Sequence, residues 1–151
     1  MLVAVVGPGG DPGADIIAAA EAVGRLVGAA GHTLVTGGLD GVMAAASRGA
    51  KSSGAQVLAL LPGDDTSAAN AFADHVVATG MGQARNVLVV RSADAVIAVG
   101  GSWGTLSEVA LAKRLDRPVV WLLGWQVVGP LDGVATAHTP HEAVATVLGS
   151  P

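Results

Sequence analysis

Residues 94–115 read DAVIAVGGSWGTLSEVALAKRL, and this stretch contains the pattern that indicates the fold. A short apolar run ends in Gly-Gly-x-x-Gly at 100–104, and a helical stretch follows. The same order of strand, Gly-Gly-x-x-Gly and helix recurs at 34–53, and a third glycine cluster follows the apolar run at 2–6. Glycine-rich turns that lead from a strand into a helix are typical of α/β proteins.

The rest of the chain repeats this alternation of short apolar runs and Ala-rich helical stretches, which is typical of βαβ units. The strands are almost continuously apolar, as expected when helices cover both faces of a sheet. We therefore predict an α/β fold: a Rossmann-like, doubly wound, mostly parallel sheet flanked by helices, in a single domain over 1–151. Strands are predicted near 2–6, 33–36, 56–61, 75–78, 94–99 and 118–123, and helices near 13–30, 40–53, 83–92, 104–115 and 140–148.

The composition limits the kinds of partner that the protein can be expected to bind. Charged residues make up 13% of the chain and hydrophobic residues 51%, so a monomer would have an unusually uncharged surface. We predict a homodimer or homotetramer, although an Ala-rich bias would give the same numbers. A net charge of −4 without a basic cluster argues against nucleic acid. Apolar runs far shorter than roughly 20 residues argue against a membrane span, and no signal peptide is evident. We expect a cytoplasmic protein.

The glycine loops predict a site for a phosphorylated, nucleotide-like ligand. Ligands of open α/β sheets bind where the strands end, and these loops would converge there. Glycine lets the backbone approach an anion, and the following helix adds unpaired N–H groups and partial positive charge. Tight turns also use glycine for steric reasons alone, so a single loop is weak evidence. The predicted ligand-binding glycines are Gly7, Gly37, Gly38, Gly41, Gly100, Gly101 and Gly104.

Two charged residues are candidates for chemistry, and each has a structural alternative. Glu108 lies one turn into the helix that follows the glycine loop at 100–104. There it either faces the ligand or closes a capping box with Thr105. Arg85 starts a helix, where it binds phosphate or carboxylate oxygens or forms a surface ion pair. Trp103 stacks on a base, forms a subunit contact, or is an incidental loop residue.

The sequence indicates neither a metal site nor a resident cofactor. There are no cysteines, and the pair His138 and His141 is separated by a proline at a helix cap. The dinucleotide fingerprint fails at Pro12, and no glycine precedes a lysine as in a P-loop. A standard dehydrogenase or an NTPase is therefore not expected.

The segments MGQARN (81–86), SADA (92–95) and GGSWGTLSE (100–108) resemble the LONELY GUY (LOG) superfamily. This superfamily, often mislabelled lysine decarboxylase, has the hallmark Pro-Gly-Gly-x-Gly-Thr-x-x-Glu with an upstream arginine. The closer likeness is to its short bacterial branch, which is similar to molybdenum-cofactor carrier proteins, and it runs over essentially the whole chain.

The resemblance implies a Rossmann-like sheet, an oligomer and a ligand of nucleoside-monophosphate size. In LOG enzymes the motif glutamate and the arginine serve cleavage of a base–ribose 5′-phosphate bond, and these roles would fall on Glu108 and Arg85. The glycines and Thr105 would hold the phosphate, with Asn86 also at the ligand. The chain departs from the hallmark at Val99, where the family has proline, and at Asn86, where a basic residue is common. These departures affect catalysis more than binding.

Three functions follow from these observations. The first is a binding or carrier protein for a nucleoside monophosphate or a pterin-type cofactor. The alternative is a phosphoribohydrolase that cleaves nucleoside 5′-monophosphates, and the third is a sensor or structural protein with an inherited, unused pocket. A lysine decarboxylase is not expected, because neither Lys51 nor Lys113 stands where a pyridoxal Schiff base is plausible.

Overall fold

The computed structural model describes residues 1–127 and 133–149. The strands are β1 (Leu2–Val6), β2 (Thr33–Thr36), β3 (Val57–Leu61), β4 (His75–Ala78), β5 (Ala95–Val99), β6 (Val119–Leu122) and β7 (Ala135–Ala137). The helices are α1 (Ala14–Ala29), α2 (Val42–Ser52), α3 (Asn86–Ser92), α4 (Trp103–Arg114) and α5 (Pro140–Leu148). Short 3₁₀ turns cover Thr66–Ala68 and Gly82–Arg85.

The strands form one sheet in the order β4-β3-β2-β1-β5-β6-β7, and every described pair is parallel. The chain builds outward from β1 to β4, returns to place β5 beside β1, and then builds outward to β7. The strand order therefore reverses between β1 and β5, which is the switch point where doubly wound sheets bind ligands. The predicted fold class is confirmed.

Helices cover both faces of the sheet. In β5, Ile97 and Val99 pack into the core beneath α1, α2 and α5, whereas Val96 and Ala98 pack beneath α3 and α4. Successive side chains of a strand point to opposite faces, so most side chains of a strand covered on both sides face a core and are apolar. This explains the continuous apolar runs. No described helix is both long and apolar enough to span a bilayer.

Two details differ from the sequence prediction. β7 was not predicted, because this edge strand has only three residues and its central residue, Thr136, is exposed. The predicted helix at 83–92 begins as the 3₁₀ turn and becomes α-helical only from Asn86. At the start of α5, Thr139 is the N-cap, and Glu142 N–H donates to Thr139 Oγ1 at 3.1 Å.

Candidate functional site

A cleft of about 560 Å³ opens at the switch point, among the carboxyl ends of β1, β2 and β5. Its volume is within the range of roughly 300 to 1,000 Å³ that is usual for small-molecule sites. We call it the switch-point cleft. It is lined by Gly7, Pro8, Gly9, Leu39, Asp40, Met43, Gln83, Arg85, Asn86, Ser102, Trp103, Gly104, Thr105, Ser107 and Glu108.

One wall of the cleft is the N-terminus of α4. Ser102 is the N-cap, and its Oγ accepts a hydrogen bond from Thr105 N–H at 3.1 Å. The backbone N–H groups of Trp103 and Gly104 donate to no described residue. These free donors and the helix dipole place partial positive charge at the cleft wall.

This geometry excludes the capping alternative for Glu108. The capping box requires Thr105 to precede the helix, but α4 begins at Trp103 and Ser102 already fills the N-cap position. Glu108 lies in the second turn, is only 6% exposed and lines the cleft. Its carboxyl group is therefore available to a ligand rather than committed to the helix end.

The cleft raises the pKa of Glu108 to about 7, because burial disfavours the charged carboxylate. The positive charge of Arg85 acts in the opposite direction but does not compensate. Near neutral pH this side chain therefore exchanges between a neutral acid and a carboxylate. A carboxyl group in that state can donate a proton as well as accept one.

Arg85 is only 6% exposed, so the surface ion-pair alternative is wrong. Its Nη2 donates to the Gly37 carbonyl and its Nη1 to Asn86 Oδ1, both at 3.2 Å. Its Nε finds no hydrogen-bond partner among the described residues. Burial lowers the pKa of Arg85, yet a guanidinium remains protonated in proteins. The cleft thus contains a fixed cation, and the described hydrogen bonds use only two of its five N–H donors.

The glycine loop at 37–41 holds the Arg85 guanidinium in place. A Cβ at Gly37 would lie 2.5 Å from Arg85 Nη1 and 2.6 Å from Nη2, so only glycine lets the guanidinium lie against the backbone here. Gly38 and Gly41 are packed as tightly against neighbouring protein atoms. The loop is also closed by its own hydrogen bonds, since Gly38 N–H donates to Thr36 Oγ1 at 3.1 Å.

The structure brings together only some of the residues that the sequence singled out. Those that line the switch-point cleft are Gly7, Arg85, Asn86, Gly104, Thr105 and Glu108. Those outside the cleft lining are Gly37, Gly38, Gly41, Gly100 and Gly101. Gly100 makes a turn with φ of 71°, and Gly101 packs against Trp125 rather than facing the cleft.

Several lining residues were not predicted from the sequence. Ser102 had a signal, because a serine directly before a helical run is a favoured N-cap. Asp40 accepts a hydrogen bond from Gly10 N–H at 2.9 Å and so ties two loops together. Met43 and Gln83 belong to no recognised spacing, and only the fold brings them to the cleft.

Fold and site together define a class: a doubly wound α/β protein with a small-molecule cleft at its switch point, containing a buried arginine and a buried glutamate. Within that class, the chain belongs to the SLOG cluster4 family, whose model matches residues 1–146. This confirms the resemblance to the LOG-like superfamily that the sequence motifs indicated.

Relatives share almost the full length of the chain. An uncharacterized protein from Archaeoglobus fulgidus is 45% identical over 128 residues, which are 85% of this chain and 82% of the relative. The solved structure of the molybdenum cofactor binding protein from Rippkaea orientalis matches with a TM-score of 0.92 and 33% identity, over 98% and 95% of the two chains. The molybdenum cofactor carrier protein from Chlamydomonas reinhardtii matches with a TM-score of 0.90 and 34% identity, over 98% and 96%.

Proposed function

We propose that this chain binds and carries a phosphorylated pterin-type cofactor, the molybdenum cofactor or a close relative of it, in the switch-point cleft. One observation supports this most directly. Buried Arg85, with a free Nε, lies in the same cleft as the open N-terminus of α4. The similarity to molybdenum cofactor binding and carrier proteins over nearly the whole chain favours this ligand class.

The residues present fit such a ligand. A phosphorylated pterin needs an anion site and a surface for a flat ring. The N–H groups of Trp103 and Gly104 and the Arg85 guanidinium would supply the anion site, because charge-assisted hydrogen bonds to phosphate are among the strongest in proteins. The Trp103 indole is 79% exposed at the rim of the cleft and would supply the flat surface. Molybdenum would be cargo, carried by the pterin.

A retention experiment tests the proposal. Molybdenum cofactor released from a molybdoenzyme is mixed anaerobically with the protein, and molybdenum and pterin that co-elute on gel filtration are measured. Wild type should retain the cofactor, and Arg85→Ala should lose most of it. The matched control is Arg48→Ala, which removes an arginine whose partner is Glu21 on the surface. Equal retention by Arg85→Ala and wild type would refute the proposal.

Hydrolysis of nucleoside monophosphates is the second candidate, and it rests on Glu108. A carboxyl group whose pKa is about 7 suits general acid–base chemistry at neutral pH. The protein is incubated with AMP, and free adenine is measured. We expect no release above the buffer rate. Adenine release that Glu108→Gln abolishes would favour the hydrolase instead.

We also propose that the chain forms a homo-oligomer. Val77 and Met81 are 47% and 44% exposed, and Val87 and Leu88 of α3 are half-buried. Exposed apolar side chains on a chain with so few charged residues favour a subunit contact. Sedimentation at micromolar concentration should give a mass above that of one chain. A monomer throughout would refute this proposal.

A further inference from the structure

All three tryptophans of the chain, out of four aromatic residues in total, lie beside the second glycine loop. Trp103 meets Trp125 edge to face, with ring centroids 5.2 Å apart and an interplanar angle of 84°. Trp121 Nε1 donates to the Gly100 carbonyl at 2.7 Å. Three of the four aromatic residues of the chain therefore lie close to the loop at 100–104.

This cluster forms the wall of a second cavity, of about 470 Å³, at the carboxyl ends of β6 and β7. We call it the tryptophan cavity. Trp125, which is 41% exposed, supplies its flat wall, whereas Trp121 also borders the cavity but is only 2% exposed. Gln126, Thr136 and His138 are among the other lining residues. Trp103 lines the switch-point cleft, and its partner Trp125 lines the tryptophan cavity. The two spaces therefore adjoin across the Trp103–Trp125 pair.

Two glycines that the switch-point cleft does not use hold these rings in place. A Cβ at Gly101 would lie 2.1 Å from Trp125 Cδ1, and a Cβ at Gly124 would lie 2.2 Å from Trp121 Cδ1. Both indoles thus lie directly on the backbone. The second glycine of the GGxxG loop serves the tryptophan cavity, whereas the third, Gly104, faces the switch-point cleft.

The lining indicates what the tryptophan cavity would take. Aromatic walls stack on planar rings, and every nucleobase offers such a face. The Gln126 amide, the Thr136 hydroxyl and the His138 imidazole can form hydrogen bonds to the edge of a heterocycle. No arginine or lysine is among the described residues that line this cavity. The cavity therefore suits an uncharged heterocycle, while the anion donors lie in the switch-point cleft.

We propose that the tryptophan cavity is a second subsite, which takes the nucleobase of a dinucleotide-class ligand whose first ring and phosphates occupy the switch-point cleft. This inference rests on the proposed function of that cleft. It extends the ligand from one planar ring with a phosphate to two planar rings joined by a pyrophosphate. Dinucleotides commonly lie across the switch point of a doubly wound sheet. The switch-point cleft lies over β1, β2 and β5, and the tryptophan cavity lies over β6 and β7.

The test compares two forms of the cofactor on wild type: the molybdenum cofactor itself and the form joined through a pyrophosphate to a nucleoside. Dissociation constants are measured from retained molybdenum. We expect the dinucleotide form to bind on the order of tenfold more tightly, because stacking of one base gives an effect of this size. Equal affinity for the two forms would overturn the inference.

Two variants locate the effect. Trp125→Leu removes an aromatic wall, and Thr136→Phe fills the cavity from exposed β7 without removing a wall. Each should abolish the preference for the dinucleotide form. Thr136→Phe should also leave the affinity for the shorter form within about twofold, whereas Trp125→Leu is judged by the preference alone, because the Trp125 ring packs on Trp103. The matched control is Phe72→Leu, which lies outside both spaces and should keep the preference.

The outcomes separate the inference from the proposal on which it rests. If the shorter form binds in an Arg85-dependent manner and the longer form binds no more tightly, only the second subsite is refuted. If neither form binds to wild type, the proposed function falls as well. If Trp125→Leu changes the sedimenting mass and leaves the ligand preference intact, the tryptophans form a subunit contact, and the second subsite is again refuted.

Discussion

The two loops with the pattern Gly-Gly-x-x-Gly have the same sequence signature and opposite roles. In the loop at 37–41 the glycines face the protein: Gly37 lies against the Arg85 guanidinium, and Gly38 and Gly41 pack on neighbouring atoms. In the loop at 100–104 the last glycine, Gly104, lines the switch-point cleft, and the nearest atom to a Cβ there is Ser102 Oγ at 3.6 Å. One loop holds a cation, and the other offers backbone donors.

The difference shows that a glycine pattern indicates where another group can come close to the backbone. It does not indicate whether that group belongs to the protein or to a ligand. The absence of a Cβ allows either a protein group or a ligand to reach the backbone. In the first loop the approaching group comes from 48 residues further along the chain. In the second loop the backbone N–H groups of Trp103 and Gly104 donate to no described residue. Substitutions that add a Cβ should therefore act differently in the two loops.

The largest effect is expected in the first loop. Gly37→Ala should displace the Arg85 guanidinium and weaken cofactor binding by about 100-fold, the size expected for losing a hydrogen bond to a charged group. Dissociation constants are measured for Gly37→Ala, Arg85→Ala and the double variant. The double variant should bind no worse than either single variant, because both remove the same interaction. Additive losses would show that Gly37 contacts the ligand itself.

The second-largest effect is expected at Glu108, which lies in α4, the helix that follows the loop at 100–104. Its pKa is raised in the folded state from 4.5 to about 7, so the folded protein binds more protons than the unfolded chain across this range. The contribution of Glu108 to the free energy of unfolding therefore falls as the pH rises from about 4.5 to 7 and stays lower above that. Glu108→Gln should raise the free energy of unfolding by roughly 1 to 3 kcal/mol at pH 8, and by almost nothing below pH 4.5.

Urea unfolding of both proteins at a series of pH values checks this expectation. Glu21→Gln is the matched control, because hydrogen bonding to Arg48 lowers the pKa of Glu21 and its ionised form stabilises the fold. That variant should lose stability at neutral pH, where Glu108→Gln gains it. A destabilised Glu108→Gln protein at pH 8 would mean that the carboxylate serves the fold and not the cleft.

The smallest effect is expected in the second loop. Gly104→Ala has room for the added methyl group, since the nearest atom is 3.6 Å away, so the melting temperature should be nearly unchanged. The methyl group would narrow the cleft next to the free N–H groups, and cofactor affinity should fall a few-fold. Gly63→Ala, at an exposed glycine with open space around its Cβ position, is the control. A loss of cofactor affinity as large as that caused by Gly37→Ala would show that the two loops do not differ in role as proposed.

The fold could be predicted because local patterns determine it. Strands covered on both faces are mostly apolar, and the six predicted strands match the structure to within one residue at each end. β7 has three residues and an exposed centre, so it carries no such pattern. The start of α5 is also a local feature, because the partners of its cap, Thr139 and Glu142, stand three residues apart.

The site could be predicted only in part. Motif spacing singled out Arg85 and Glu108, but their burial depends on the strand order, which brings β1, β2 and β5 together. The two glycine loops were indistinguishable, because the partner of Gly37 is remote in sequence. The side chain of Asp40 was overlooked, since its role arises from a contact with the backbone of another loop.

The most direct measurement is the position of the ligand phosphate in a crystal structure of the protein with bound molybdenum cofactor, with the metal located by its anomalous signal. Our account predicts the phosphate within hydrogen-bond distance of the backbone N–H groups of Trp103 and Gly104 and of the Arg85 guanidinium, with the 37–41 loop still holding that guanidinium. A phosphate bound on the backbone of the 37–41 loop, or outside the switch-point cleft, would contradict it.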